Sequence, residues 1–315
     1  MAEPLVSILI NNYNYGRFLR EAIDSALNQT YRNTEVIVVD DGSTDDSRAI
    51  IASYGDKIFP VLKENGGQAS AFNAGFAASR GEIICFLDSD DVWLPTKVQS
   101  VVRAADTSPD AVLIYHGYRH VDSDKVPFGK SLPLSFLNGD VSERVRLSGG
   151  CWPFPPTSGL AFRRTVLNSI MPIPEKLFQT CADACLAYSI PLLGPVVGIK
   201  EALCLYRIHG SNLYTSLENG VGPASTKSLR RMERYQMSVE GANEVLARIG
   251  SDRKLALTEH VSYIRAKYTA GVAGRPSWLG VSWKILNMRS EPRLFVRSKT
   301  LLKFWLELSS TRPVL

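Results

Sequence analysis

Two runs of carboxylates follow directly on apolar stretches. Val36-Ile-Val-Val39 leads into Asp40-Asp41-Gly42-Ser43, and Ile83-Ile-Cys-Phe-Leu87 leads into Asp88-Ser89-Asp90-Asp91. Three carboxylates within four residues repel one another, and burying them costs free energy unless a cation or hydrogen bonds compensate. A hard divalent cation bound through oxygen, Mg²⁺ or Mn²⁺, relieves that repulsion. The alternative is helix capping, for which Asp is well suited. Capping accounts for one Asp in each run but not for three, so Asp88–Asp91 reads as a metal-binding turn.

Positioning such a turn requires a scaffold, and the first half of the chain supplies one. Val6–Ile10, Val36–Val39, Ile58–Leu62 and Ile83–Leu87 read as buried strands, and Gly16–Asn28, Thr44–Tyr54 and Ser70–Ser79 as the helices between them. Ser43, with Asp46 three residues on, is the expected cap of the second helix. The alternation predicts an α/β fold with a mostly parallel sheet covered on both faces. Ligands of such sheets lie beyond the carboxyl ends of the strands, where both acidic runs fall. Thr96–Ser108, Arg163–Ile170 and Thr180–Ser189 read as further helices, and Val112–His116 and Ala202–Arg207 as further strands. Between Asp122 and Pro156 the periodicity breaks, with prolines at 127, 133, 153, 155 and 156, as expected of a long binding loop. Trp152 and Phe154 in that loop read equally as an apolar wall for a ligand or as a packed turn.

Ser216–Ser225, with Gly220, Gly222 and Pro223, reads as a linker. This divides the chain into residues 1–215 and a helical region, 216–315. Ser290-Glu291-Pro292 is an expected helix start. Leu294, Leu301, Trp305 and Leu308 then share a stripe, with Arg297, Lys299 and Lys303 mostly off it. That helix is expected to pack on its own domain rather than to lie on a membrane or dock on a partner.

Charge is distributed unevenly. Residues 216–315 hold 17 Lys and Arg against 8 Asp and Glu, whereas residues 1–215 hold 19 against 23. A basic tail on a mildly acidic body suits an anionic partner such as a membrane surface, and suits solvated helix faces equally well. The five cysteines (85, 151, 181, 185 and 204) form no close pairs beyond Cys181 and Cys185 and lack a zinc set. They read as core residues of a reducing compartment. Met1-Ala-Glu-Pro4 lacks the basic start of a secretory signal, and no apolar run approaches the ~20 residues that span a bilayer. The expectation is a cytoplasmic protein, with peripheral contact at the inner face of the membrane left open.

The motifs also occur in a recognisable order. Ser7-Ile-Leu-Ile-Asn-Asn-Tyr-Asn14, Val38-Val-Asp-Asp-Gly-Ser-Thr-Asp45, Asn65-Gly-Gly-Gln-Ala-Ser-Ala-Phe-Asn-Ala-Gly75, Phe86-Leu-Asp-Ser-Asp-Asp91, Ser158-Gly-Leu-Ala-Phe-Arg-Arg164 and Tyr206-Arg-Ile-His-Gly-Ser-Asn212 resemble segments of family 2 glycosyltransferases of the GT-A fold. They span residues 4 to about 214. An isolated Asp-x-Asp is weak evidence; six ordered segments are strong.

The resemblance implies an inverting transfer of a sugar from a nucleotide-diphosphate donor to a hydroxyl of a glycan or lipid-linked glycan, as in bacterial surface polysaccharide synthesis. It implies that Asn11 and Tyr13 lie against the nucleotide base and that Asp40 accepts a ring N–H from it. Gly66 and Gly67 would let backbone approach the donor. Asp91 is the first-choice metal ligand, Asp90 binds metal or ribose, and Asp88 supports them. It places the catalytic base at Asp183, the one acid between Lys176 and Lys200, and assigns His209 to the metal or the diphosphate. Arg207 and Lys63 are weaker diphosphate candidates. Two departures stand out: Asn11-Asn12 where many relatives have Pro-Thr, and Ala182-Asp183 where many have Glu-Asp.

Rival functions lack their signatures. A dinucleotide-binding oxidoreductase needs Gly-x-Gly-x-x-Gly after the first strand, where this chain has Asn11-Asn-Tyr-Asn-Tyr-Gly16. There is no Gly-x-x-x-x-Gly-Lys-Ser/Thr loop. Nucleic acid is not an expected partner, because the positive charge lies in helices without stacking aromatics. A non-catalytic sugar-nucleotide binder is the remaining alternative, and keeping Asp40, Asp90, Asp91 and Asp183 together speaks against it.

Overall fold

The aliphatic runs form strands whose register sets the carboxylates side by side. In the computed structural model, which describes residues 3–210, 212, 224–272, 277–287 and 294–311, the first half runs β1 (Val6–Asn12), α1 (Gly16–Leu27), β2 (Thr34–Asp41), α2 (Ser47–Ala52), β3 (Phe59–Lys63), α3 (Gln68–Ala78) and β4 (Ile83–Asp88). It continues through β5 (Val92–Trp93), α4 (Lys97–Thr107), β6 (Leu113–Val121), β7 (Pro127–Leu132), α5 (Ser142–Leu147), β8 (Leu160–Arg163), α6 (Arg164–Ile170), α7 (Ala182–Ser189) and β9 (Val196–Arg207). Then follow α8 (Ala224–Arg248), α9 (Val261–Thr269), α10 (Trp278–Leu286) and α11 (Leu294–Thr311).

The sheet order is β3-β2-β1-β4-β8-β6-β9-β5, with β7 on β6. β3, β2, β1 and β4 are parallel, while β8 runs antiparallel between β4 and β6. The expected parallel sheet is therefore the first half of a larger mixed one. β3 is the outer strand, so its Phe59 and Leu62 are exposed rather than buried as expected, and Pro60 within it suits an edge.

Three local expectations change. α2 begins at Ser47 behind Asp46, because the Ser43 hydroxyl is engaged by Asn12 Nδ2 at 3.1 Å and the Asn14 amide at 2.9 Å. The segment read as irregular contains β7 and α5. The last strand starts at Val196 and pairs in parallel with β6.

Two apolar layers cover the sheet. One joins Ile8, Ile10, Leu19, Ile23 and Val98; the other joins Leu9, Phe72, Phe86, Phe162 and Leu186. Val239, Ala242, Val245 and Leu246 of α8 belong to the second layer. A smaller cluster around Val261, Ile264, Val281, Ile285 and Phe304 holds α9, α10 and α11 together. In α11 the anchor is the buried Phe304, with Leu301 beside it, while Trp305 faces outward. Of the expected stripe, Leu301 packs inward as read, whereas Phe304 takes the place of Trp305. Most of the linker, residues 216–223, the helix start at 290–292, and the side chains of Leu294, Lys303 and Leu308 lie outside the described residues. Among the described residues no helix is long and apolar enough to cross a membrane.

Candidate active site

Parallel register places Asn12 opposite Asp40 and Asn11 opposite Asp88, at the carboxyl ends of β1, β2 and β4. A cavity of about 720 Å³ opens there, where an α/β sheet is expected to bind its ligand. Asn11, Tyr13, Gly67, Asp88, Asp90 and Asp183 all line it. Asp40, Asp91 and His209 do not.

Successive strand residues point to opposite faces, and this separates Asp40 from Asp41. Asp40 is fully buried on the α2 side, accepting from Arg48 Nε at 2.9 Å, Asn12 Nδ2 at 3.0 Å and the Ser43 amide at 3.1 Å. Burial pushes its carboxyl up, and the hydrogen bonds from Ser43, Arg48 and Asn12 outweigh that and hold it below the usual range. Asp41 faces the cavity instead. It accepts from Lys63 Nζ at 2.7 Å and from the Gly66 and Gly67 amides at 3.0 and 2.8 Å. Of the two neighbouring acids, Asp41 is therefore the one that lines the cavity, with Lys63 as its ion-pair partner. Gly67 has a φ of +85°, and a Cβ there would press on Gln179 at 2.7 Å, so only glycine fits the approach.

The acidic turn after β4 divides its carboxylates in the same way. Asp91 folds back into the protein, where Oδ2 accepts from Ser158 Oγ at 2.6 Å and Oδ1 from the Arg207 amide at 3.0 Å. Its expected place as first metal ligand does not match this geometry, since both oxygens are turned away from the cavity and occupied. Asp90 lines the cavity, and its Oδ2 meets His209 Nε2 at 3.1 Å and Asn212 Nδ2 at 3.2 Å. The His209 ring packs on Phe18, and its Nδ1 lies 3.2 Å from Arg17, so His209 acts on Asp90 from behind. Arg207 is also spoken for. It is almost wholly buried, donates to the Asp90 and Ser123 carbonyls and to Glu21, and covers the Phe18 ring at 4.7 Å. It ties the turn down instead of reaching a diphosphate.

Asp88 and Asp183 approach each other across the cavity floor. Burial raises the Asp88 carboxyl well above its usual range, and the charges of Asp90 and Asp183 add to that. Burial likewise raises Asp183, in the first turn of α7. Thr157 lines the cavity with them and partly offsets both shifts. Among the described residues no group of three or more His, Cys, Asp or Glu is assembled for a metal. Magnesium-like cations commonly take one or two carboxylates and complete their shell with water and substrate phosphate. Asp90 and Asp88, crowded at a cavity edge beside the buried, unpartnered Asn11 Oδ1, fit a cation held in that way.

The opposite wall is aromatic. Trp152, Phe154, Tyr188, Tyr235 and His260 line it, held by Trp152 Nε1 to the Ala187 carbonyl at 2.7 Å and Tyr188 Oη to His260 Nε2 at 2.9 Å. Arg234 of α8 is the one Arg or Lys among the described residues lining the cavity. None of Asp41, Thr157, Arg234, Tyr235 and His260 was expected from sequence. Asp41 differs from Asp40 only by strand parity, Thr157 sits just before the Ser158–Arg164 motif, and Arg234, Tyr235 and His260 lie far from any motif.

This architecture is that of GT-A glycosyltransferases, and comparison with known proteins agrees. Residues 7–171 match the family described as Glycosyl transferase family 2. An uncharacterized glycosyltransferase of Nostoc sp. is 41% identical over 268 residues, covering 84% of this chain and 82% of that protein. The chain belongs to glycosyl transferase family 2, and it is a glycosyltransferase. The UDP-Glc:alpha-D-GlcNAc-diphosphoundecaprenol beta-1,3-glucosyltransferase WfaP of Escherichia coli is 37% identical over 127 residues, which cover 40% of this chain and 50% of WfaP. The mannosyltransferase PcManGT from Pyrobaculum calidifontis, solved with GDP-Man and Mn²⁺, shares the fold at a TM-score of 0.52 and 16% identity, over 99% of this chain and 88% of its own.

Proposed function

We propose that the chain moves a sugar, with inversion, from a nucleotide-diphosphate donor to a hydroxyl of a lipid-linked glycan, assisted by Mn²⁺ or Mg²⁺. The observation that carries this reading is the meeting of Asp88, Asp90 and Asp183 at one cavity whose far wall is aromatic. The donor's base and ribose belong at the Asn11, Asn12, Tyr13 and Asp41 end, where Tyr13 offers a ring face and Asp41 an acceptor for a ring N–H. Asp90, with Asp88 behind it, would hold the cation, which neutralises charge on the departing diphosphate.

Asp183 sits on the other side, where an acceptor hydroxyl attacks. As the acceptor oxygen bonds to the anomeric carbon, its proton passes to an Asp183 oxygen. The bond from that carbon to the diphosphate breaks, and the nucleoside diphosphate leaves with the electron pair. The raised affinity of Asp183 for a proton suits it to the step. Trp152, Phe154 and Tyr188 present faces to the C–H surface of the acceptor sugar, and Arg234 faces the anionic group that such a sugar would carry. WfaP, named for a diphospholipid acceptor, supports the acceptor class. PcManGT, solved with GDP-Man and Mn²⁺, supports donor class and cation. A lipid-borne acceptor would bring the enzyme to the membrane surface.

Thermal-shift measurements over a panel of nucleotide sugars, with and without Mn²⁺, test this reading. Stabilisation by at least one nucleotide sugar, enlarged by Mn²⁺ and accompanied by slow release of nucleoside diphosphate, is the expected result. Binding without any release would leave a sugar-nucleotide binder instead.

A further inference from the structure

α10 is apolar on its inner face and on much of its outer one. Val281 and Ile285 face the cluster shared with α9 and α11, while Trp278, Leu279, Trp283 and Leu286 face outward. Apolar side chains left on the outside of a helix call for a further surface to cover them. α11 extends the outer face with Leu302, Trp305 and Leu306, and the Trp278 and Trp305 rings meet at 5.2 Å between centroids. Three of the five tryptophans are therefore exposed on these two helices, at 43% (Trp278), 66% (Trp283) and 42% (Trp305), while Trp93 and Trp152 are buried. Large apolar side chains gathered on the surface in this way mark an interaction site.

Charge selects the occupant. Residues 259–315 contain ten Lys and Arg against three Asp and Glu; Lys284 of α10 pairs with Glu259 at 3.0 Å, and Arg297 and Lys299 lie on α11. A two-fold contact between copies would set this surplus against itself, whereas an anionic bilayer attracts it. Tryptophan adds a second preference, because its ring settles at the level of lipid headgroups. We propose that the outer face of α10 and α11 docks on an anionic lipid bilayer, lying in its interface without crossing it. This goes beyond the catalytic reading, resting on it only for why the enzyme works at a membrane.

Sedimentation of the full chain with phosphatidylcholine vesicles, and with vesicles containing phosphatidylglycerol, tests the docking without any nucleotide sugar. Binding should favour the anionic vesicles by about tenfold or more, weaken with salt and shift indole emission to the blue. The W278S/W283S/W305S variant should bind about tenfold or more weakly while keeping the wild-type circular dichroism. W283S alone, at the most exposed of the three, should show a smaller loss in the same direction. Equal binding by wild type and variants, or indifference to lipid charge, overturns the proposal. So does a wild-type dimer that the substitutions split, since the face would then belong to a second copy. Release of nucleoside diphosphate in solution is scored separately: its absence, with vesicle binding intact, removes the transferase mechanism and leaves the docking surface standing.

Discussion

Asp88 and Asp183 line one cavity, near enough for the charge of Asp183 to act on the Asp88 carboxyl. Burial raises both acids, and the nearby Asp183 charge raises Asp88 further. The pair thus brings a proton acceptor close to the place where the donor's diphosphate is expected.

Asp183→Asn should lower turnover by roughly 10²- to 10⁴-fold, the usual contribution of a general base, while donor binding by thermal shift stays near wild type. Unchanged turnover would remove Asp183 from the mechanism. In the wild type, activity should fall on the acid side of a pH profile as Asp183 takes up a proton. Because its folded-state proton affinity is raised, wild-type stability decreases as pH rises above the unfolded carboxyl range near ~4. The asparagine variant should therefore gain stability relative to wild type between acid and neutral pH, measured by urea unfolding.

Asp90 and Asp91 should part company. Asp90→Ala is expected to abolish Mn²⁺-dependent stabilisation by the donor and leave the fold intact. Asp91→Ala strands the Ser158 hydroxyl and the Arg207 amide, at about 1–3 kcal/mol for each buried group left unmade. It should be seen first as a lowered unfolding midpoint.

A similar contrast separates the neighbours on β2. Asp41→Asn should weaken nucleotide binding, read by titration calorimetry with the nucleoside diphosphate. Asp40→Asn should reduce stability with little direct effect on nucleotide contacts, since its partners are Arg48, Asn12 and Ser43.

Arg234→Gln should raise KM for an anionic acceptor and spare donor hydrolysis measured without acceptor. Equal loss in both assays would place Arg234 on the donor side.

Gly67→Ala should cost about 1–3 kcal/mol, the usual range for a side chain forced into so sparsely populated a backbone region, and should disturb the Asp41 contact with the Gly67 amide. Restored binding after a further change at Gln179 would show that crowding there is the cause.

Much of the scaffold was legible because it rests on local rules: apolar runs of strand length, helices of the right spacing, and acids at strand ends. What was not legible followed from parity and from long-range packing. Adjacent acids such as Asp40 and Asp41 look alike in a sequence, yet a strand sends them to opposite faces. The family resemblance of its acidic turn makes Asp91 look like a ligand, while the partners that turn it inward, Ser158 and Arg207, lie 67 and 116 residues away. Tyr235 of α8 and His260, which caps α9, reach the cavity from segments that carry no motif. The edge position of β3, and hence the exposure of Phe59 and Leu62, depends on a strand order that periodicity does not reveal.

The sharing of one apolar layer by α8 and the sheet bears on how such enzymes can be recombined. A chimera joined at residue 215 would break that layer and replace part of the wall facing Asp183, exchanging acceptor preference and folding competence together. Grafts meant to retarget the sugar acceptor should keep α8 with the parent sheet and vary its cavity-facing positions. The outer helices α10 and α11, held by their own small cluster, are the segment that lends itself to transplantation.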